Sequence, residues 1–285
     1  MFDPRAWQRF RRNRGAMVGA VIVVVMTTVG MLGPVFAPHD PAEQFREQLL
    51  DDQGLPRGPG EVKGHLLGGD TLGRDIFTRL LHGGRVSMVV AYAGTGLAVA
   101  LGVLIGLVSG YFGGAVDTFF MRLVDVLLSM PFLLVAMVLQ KQWEGAGFGT
   151  LIVLLGLLSW TSLARVVRSK TLQIRELDYV TAARALGASD TWILLRHVLP
   201  NCAGPILTTS TMLVAGMILS ESALSFLGLG VRPPDASWGS MLSESQTYVF
   251  DIPRLFAYPA CLVVLTIAGF NFLGEGLRDA LDPKD

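Results

Sequence analysis

Six apolar runs, each long enough to cross a lipid bilayer, alternate with polar segments along the 285 residues. The first spans Ala16–Phe36, roughly 31 Å as a helix against a hydrocarbon core of about 30 Å. The others cover Ser87–Gly110, Thr118–Leu139, Gly149–Val166, Ala203–Ser220 and Leu255–Leu273. The pattern predicts an all-α fold: a polytopic membrane helical bundle of six spans. Pro131, in Ser129-Met130-Pro131, predicts a kink or break in the third span, because proline removes a backbone donor and crowds the preceding turn. The first run is longer than the apolar core of a signal peptide. Gly33-Pro34-Val35-Phe36 also lacks a small-x-small cleavage pattern, so this run is expected to remain as a span.

The polar segments carry their own periodicity. Between the fourth and fifth runs, DYVTAARALGASDTWILLRHVLPN (Asp178–Asn201) reads as two short helices broken at Gly187. Tyr179, Ala182, Ala183 and Leu186 fall at i, i+3, i+4 and i+7, one helical face. Gly187 can take the positive φ that ends a helix, Ser189 or Asp190 can cap the next, and Pro200 stands where a new helix can begin. A polar loop that spends two capped helices on a small-residue face is built to be held by another protein. After the first run, Pro38–Gly64 is rich in proline, glycine and acidic residues and predicts an extended excursion. His65–Ser87 then predicts a turn and a separate amphipathic helix, with Ile76, Phe77, Leu80 and Leu81 on one side. That helix either lies in the membrane interface against the bundle or meets an external partner.

Charge sets the orientation. Arg5, Arg9, Arg11, Arg12 and Arg14 precede the first run, and the next arginine is Arg46. The positive-inside rule places the N-terminus in the cytoplasm, and six spans return the C-terminus there. The loop between spans four and five is then cytoplasmic too, in keeping with Arg165, Arg168, Lys170, Arg175, Arg184 and Arg196. The segment Ala37–Arg85 also holds six basic residues, offset by eight acidic ones; the rule weakens for so long a loop. The expected divisions are a basic N-terminus (1–15), the first helix (16–36), an extracytoplasmic loop (37–86), a core of five spans (87–275) with a coupling loop (167–201), and a cytoplasmic tail (276–285).

Composition agrees with a membrane protein: 51% hydrophobic and 16% charged residues, against about 25% charged in soluble domains. A net charge of zero gives no reason to expect nucleic acid as a partner. Cys202 and Cys261 read as small buried apolar residues.

Within the spans, Gly94, Ala98, Gly102, Gly106 and Gly110 recur every fourth residue. Such a stripe lets helix backbones approach closely in lipid, either inside the bundle or between subunits. Arg122 and Asp125, at i and i+3, are expected to pair on one face. Glu221, beside Ser222, is an acidic residue in a long apolar stretch. It lines a water-filled path, caps a re-entrant helix or marks the outer interface; Glu221 and Ser222 are the candidates for a translocation path. Asn271 is expected to make an interhelical hydrogen bond.

No catalytic constellation is visible. There is no GxxxxGK[ST] phosphate loop. His39, His65, His82 and His197 form no HExxH and no tight carboxylate cluster, so no metal site is expected. Ser222 and Ser225 lack a histidine partner for intramembrane proteolysis. A secondary transporter would want midplane charges or inverted repeats, and no convincing repeat appears.

The Asp178–Asn201 loop resembles the EAA motif of permease subunits of ATP-binding-cassette (ABC) importers. Thr181-Ala182-Ala183 takes the EAA place, Gly187 the glycine and Val198-Leu199-Pro200 the closing end. Thr181 stands where the family has Glu, and His197 where it has Ile. Leu72-Gly73-Arg74-Asp75 through Gly84-Arg85-Val86-Ser87 resembles the outside motif of the C-type permease in dipeptide, oligopeptide and nickel importers. So do SESALSFLGLGVRPPDASWGSMLSES from Ser220 and FNFLGEGLRDALDPK to Lys284. The resemblance runs nearly the whole chain. It implies a type I ABC importer transmembrane domain in the bacterial cytoplasmic (inner) membrane. It also implies a homologous B-type second permease, two cytoplasmic ATPases that bind ATP and Mg²⁺, and an extracytoplasmic substrate-binding protein. The chain itself would carry no cofactor. The ATPase-coupling residues would be Tyr179, Thr181, Ala182, Ala183, Arg184, Leu186, Gly187, Ser189, Leu199 and Pro200. Peptide is the leading cargo; glutathione and chelated nickel use similar permeases.

Overall fold

The computed structural model describes residues 4–143 and 147–281, with side chains from Trp7 onward. The end of the expected tail, residues 282–285, lies outside the described residues, as does the side chain of Arg5. The helices are α1 (Pro4–Arg12), α2 (Arg14–Leu32) with a 3-10 turn at Gly33–Phe36, α3 (Arg46–Leu49), α4 (Ile76–Phe112), α5 (Gly114–Ser129), α6 (Phe132–Gln142), α7 (Gly149–Arg175), α8 (Asp178–Ala185), α9 (Asp190–Ile193) with a π-helical turn at Leu194–Val198, α10 (Leu199–Asn201), α11 (Ala203–Phe226), α12 (Trp238–Ser245) and α13 (Pro253–Leu281). Among the described residues there is no strand, only isolated bridges within residues 44–75.

Among the described residues five helices, α2 with its 3-10 turn, α4, α7, α11 and α13, are long and apolar enough to cross a membrane, and α5 with α6 make a sixth if the pair is one span. The third expected span is thus not a straight helix over Thr118–Leu139. It bends by 90° between Ser129 and Phe132. Met130 is extended there (φ −90°, ψ 138°), because the ring of Pro131 excludes its predecessor from the helical region.

The separate amphipathic helix expected before the second span does not exist. Ile76–Phe112 is one helix of 37 residues. Asp75 caps its start, accepting from the Thr78 amide at 2.8 Å. Gly83 and Gly84 do not break it, because both are pressed against neighbours. A Cβ on Gly84 would stand 2.9 Å from the Trp238 ring and 3.2 Å from the Gly30 backbone. Ile76, Leu80 and Leu81 are buried against the bundle.

α4 lies chiefly along α7, and the stripe of small residues makes this approach possible. A Cβ on Gly102 would meet the Trp160 carbonyl oxygen at 2.9 Å, on Gly106 that of Ala164 at 2.7 Å, and on Gly110 that of Arg168 at 2.8 Å. Ala98 is fully buried, and Gly94 faces Met217 of α11. The stripe therefore packs inside the chain. α13 covers α2 and α11. Thr27 of α2 and Tyr92 of α4 share a hydrogen bond of 2.6 Å. Asn271, expected in such a role, faces outward from α13.

Two further expectations are corrected. Asp125 pairs with Arg165 of α7 instead of Arg122, since α7 brings a second guanidinium to its side. Cys202 is buried but Cys261 is exposed, and both are free thiols.

The close α4–α7 approach yields a direct test. Gly106→Ala should destabilise the purified chain by about 1–3 kcal/mol through overpacking. Gly96→Ala, ten residues earlier on the helix's open face with nothing within 4 Å of the new Cβ, should leave thermal stability unchanged. Equal melting curves for the two variants would refute the packing.

Candidate functional site

The segment Asp178–Asn201 folds as two helices joined by a left-handed turn. Gly187 has φ +85°, and a Cβ there would meet nothing within 4 Å, so its requirement is conformational and not steric. Its amide donates to the Arg184 carbonyl at 3.0 Å and the Ala188 amide to that of Ala183 at 3.1 Å, the paired bonds of a Schellman stop. Ser189 caps the next helix, its hydroxyl accepting from the Trp192 amide at 3.4 Å. The chain then continues without a break through the π-turn into α10. Pro200 stands in the first turn of α10, where a helix start was expected, although the chain enters it from the π-turn without leaving the helical region. It has no N–H to donate, and the widened turn before it absorbs the missing bond.

The faces differ from the expected arrangement at one residue. Val180 is buried, and Ala183 turns inward with Ala188 against Ile193, Val198 and Cys202. Tyr179, Thr181, Ala182, Arg184, Leu186 and Ser189 are exposed, with Leu199 half-buried and Pro200 exposed. Leu186 is 88% exposed, and Leu195 and Trp192 join it as bare apolar side chains. Sequence periodicity missed Trp192, Leu195 and His197. The His197 ring stands between Tyr179 at 5.6 Å and Trp192 at 4.9 Å, tying the two helices together where an aliphatic side chain was expected. Asn201 Nδ2 donates to the His197 carbonyl at 2.6 Å. Burial pushes the Cys202 thiol up from its ordinary pKa, which suits a packing role.

Charge and hydrogen bonds fasten this unit to the spans. Tyr111, near the end of α4, donates to Asp190 at 2.7 Å, and the Arg184 guanidinium lies over its ring at 5.4 Å. Arg175 donates to the Gly110 carbonyl at 2.9 Å, placing a cation on the C-terminal carbonyls of α4. Arg168 forks onto Asp117 at 2.5 and 2.6 Å, and Ser109 donates to the same carboxylate. Neither the Tyr111–Asp190 bond to the segment nor the Arg168–Asp117 fork between α7 and α5 could be read from sequence alone, because their partners lie 79 and 51 residues apart.

At the other end of the bundle Glu221 is fully buried within α11. It does not cap a helix and does not lie at a surface. Its carboxylate accepts from Ser87 of α4 at 3.1 Å and from Ser225 at 2.7 Å. Ser87 in turn accepts from the Trp238 amide at 3.3 Å, and the Trp238 indole donates to the Leu80 carbonyl at 3.0 Å. Ser222 is buried beside Glu221. Nearby, Arg74 and Arg79 converge on Glu244 at 2.5 and 2.9 Å, and Asp70 closes on Arg74 at 2.6 Å. A cavity of about 240 Å³ opens at this end, lined in part by Gln140, Phe148, Leu229, Val231 and Asp235.

Comparison with known proteins places this architecture. Residues 102–284 match the family described as "Binding-protein-dependent transport system inner membrane component". Residues 5–54 match the "N-terminal TM domain of oligopeptide transport permease C". The chain is 40% identical over 281 residues to the dipeptide transport system permease protein DppC of Bacillus subtilis, covering 98% of this chain and 85% of that protein. It is 39% identical to the oligopeptide transport system permease protein OppC of the same organism, with 98% and 88% covered. It is also 39% identical to the glutathione transport system permease protein GsiD of Escherichia coli, with 98% and 89% covered. In three dimensions it matches a chain of the MetNI methionine ABC transporter at TM-score 0.58 and 17% identity, over 72% of this chain and 96% of that one. That likeness establishes the type I importer fold. Spanning helices and relatives together make it a multi-pass inner-membrane protein. The chain belongs to the inner-membrane permease components of binding-protein-dependent transport systems, as an ABC importer permease of the dipeptide, oligopeptide and glutathione family.

Proposed function

We propose that this chain is the C-type permease through which peptides cross the cytoplasmic membrane. It would work beside a homologous B-type permease, with two ATPases below and a substrate-binding protein outside. The observation that carries this reading is the outward face of α8 and α9. Tyr179, Ala182, Leu186, Trp192 and Leu195 are exposed apolar side chains on a polar segment. They stand on a unit stapled to α4 and α7, so a partner gripping them grips the bundle. Thr181 leaves this face without the family's Glu, and apolar contact is then its main adhesive. Cofactor chemistry, ATP and Mg²⁺, would belong to the ATPases. Peptide cargo is supported by relatives named for dipeptide and oligopeptide transport; glutathione, itself a small peptide, is the alternative supported by a third. Glu221 and Ser222 would border the path only once the outer ends of α4, α11 and α12 separate.

Three outcomes are expected. Leu186→Glu puts charge on a side chain that packs on nothing in this chain. It should leave membrane insertion intact, weaken ATPase association at least tenfold (about 1.4 kcal/mol) and abolish stimulation of ATP hydrolysis by loaded binding protein. Gly187→Val should do the same through the left-handed backbone, and Gly187→Asn, which tolerates that conformation, should recover part of the activity. Full stimulation in Leu186→Glu and Gly187→Val would sink the coupling face.

The second concerns orientation. In a background lacking Cys202 and Cys261, a cysteine at Gln53 should react with a membrane-impermeant maleimide on intact cells. A cysteine at Ser189 should react only after permeabilisation. Labelling of Ser189 from outside would invert the topology.

The third concerns cargo. In a strain with this as its sole peptide importer, labelled dipeptide uptake should be competed by di- and oligopeptides and not by glutathione at equal concentration. Glutathione competing best would assign the alternative.

A further inference from the structure

The segment between the first span and α4 gathers side chains that are far apart in sequence. His39, His65 and Asp75 each offer one donor atom, and these atoms lie within 4.8 Å of one another. Sequence spacing concealed the group, since 26 residues separate the two histidines. His65 and Asp75 are buried, and His39 is half-buried. His65 Nδ1 stands 2.9 Å from Asp75 Oδ1. The second carboxylate oxygen of Asp75 is held by the Thr78 amide at 2.8 Å, so the carboxylate is fixed by the start of α4. The His39 ring stacks on His65 at 4.5 Å, and Phe45 packs against both at 4.9 Å. One nitrogen of His39 faces the Gly64 carbonyl at 3.2 Å, which orients that ring and leaves its other nitrogen for a ligand.

We propose that His39, His65 and Asp75 form a binding site for one divalent transition-metal ion of the Zn²⁺ class. Two imidazoles and one carboxylate are the donor set of Zn²⁺ and its neighbours, whereas Mg²⁺ and Ca²⁺ select oxygen-rich cages. Ligand bonds near 2.0–2.1 Å set tetrahedral donors about 3.3 Å apart. The His65–Asp75 spacing opens by a few tenths of an ångström to meet this, and the widest separation closes from 4.8 Å. The ion takes the place of the proton shared by His65 and Asp75, which leaves to solvent as metal binds. The carbonyl of Gly64 and the Thr78 amide are the outer partners that hold ligand orientation. Bound metal joins residue 39, at the exit of the first span, to the cap of α4. It closes the whole excursion between them into two loops. This site is separate from the α8–α9 face and does not depend on which cargo is carried.

The test uses the assembled transporter, purified through a tag without histidine, stripped with EDTA and held without ATP. Zn²⁺ alone is titrated against a chromophoric chelator. Wild type should bind one more Zn²⁺ per permease chain than His39→Phe, which keeps an aromatic ring in the stack but removes a ligand. Asp75→Asn, which can still cap α4, should weaken that binding at least tenfold. X-ray absorption of the loaded wild type should show two imidazole nitrogens on zinc. Protection of the 37–75 segment from protease by Zn²⁺ should vanish in His39→Phe. Equal zinc stoichiometry and affinity in wild type and His39→Phe, or no zinc bound by wild type, overturns the proposal and leaves an aromatic stack. If Asp75→Asn does not assemble, the His39→Phe comparison decides alone.

Discussion

The close approach of α4 to α7 is the constraint on which the rest of the molecule depends. In lipid no hydrophobic effect pulls two helices together, so contact must come from packing of the helices themselves. Gly102, Gly106 and Gly110 bring the α4 backbone onto the carbonyls of Trp160, Ala164 and Arg168. This contact fixes the rotation of α4 about its own axis. Every other attachment of that helix is then at a defined angle: Tyr92 toward Thr27 of α2, Ser87 toward Glu221 of α11, and Tyr111 toward Asp190. With 37 residues α4 is about 55 Å long. It therefore carries one rigid register from the Asp75 cap to the helices beyond Arg175.

The two ends of this rod are fastened by different chemistry. At the α12 end the buried members are Glu221, among serine hydroxyls, and Arg79, which reaches the part-exposed Glu244 and the half-buried Asp70. Charges withdrawn from water add little net stability, but breaking one member leaves the other stranded. Such a knot holds a single arrangement of α4, α11 and α12 and resists small displacements. At the α8 end the ties are partly open to water: an arginine over a tyrosine ring, a phenol on Asp190, a guanidinium on helix carbonyls. Each is directional and replaceable by water, so that end can be rearranged at lower cost.

Much of this was legible in the residues because its cause is local. Pro131 dictates the break in the third span, Gly187 dictates the left-handed stop, and the four-residue spacing from Gly94 to Gly110 marks a packed helix face. What stayed hidden depends on partners distant in sequence. Arg122 and Asp125 have ideal spacing for a pair, yet Arg165 arrives from α7 and takes the carboxylate. Gly83-Gly84 has the look of a helix boundary until Trp238, more than 150 residues later, fills the space that the missing side chains leave. Ala183 fits the periodic outward face by spacing alone, but the inward pull of Val180 and Ala188 rotates it toward the core. The His39–His65–Asp75 group obeys no spacing rule, because an extended excursion can fold its ends together at any separation.

These contrasts bear on how motion could leave α8 and α9. The link through Pro200 to α11 passes the π-turn at Leu194–Val198, a kind of helical irregularity frequent at functional sites. The link to α4 is short, from Tyr111 to Asp190, and beside it Arg175 at the end of α7 holds the last carbonyls of α4. A displacement of the two helices as a body would load the Tyr111–Asp190 bond. It would reach α4 there, where the packed glycines oppose any roll of that helix against α7. In the opposite half of that rod sits Ser87, bonded to the buried carboxylate of Glu221. One helix thus stands between the exposed apolar face and the fully buried carboxylate of Glu221. Packing makes that helix rigid, and its small side chains are what allow the packing.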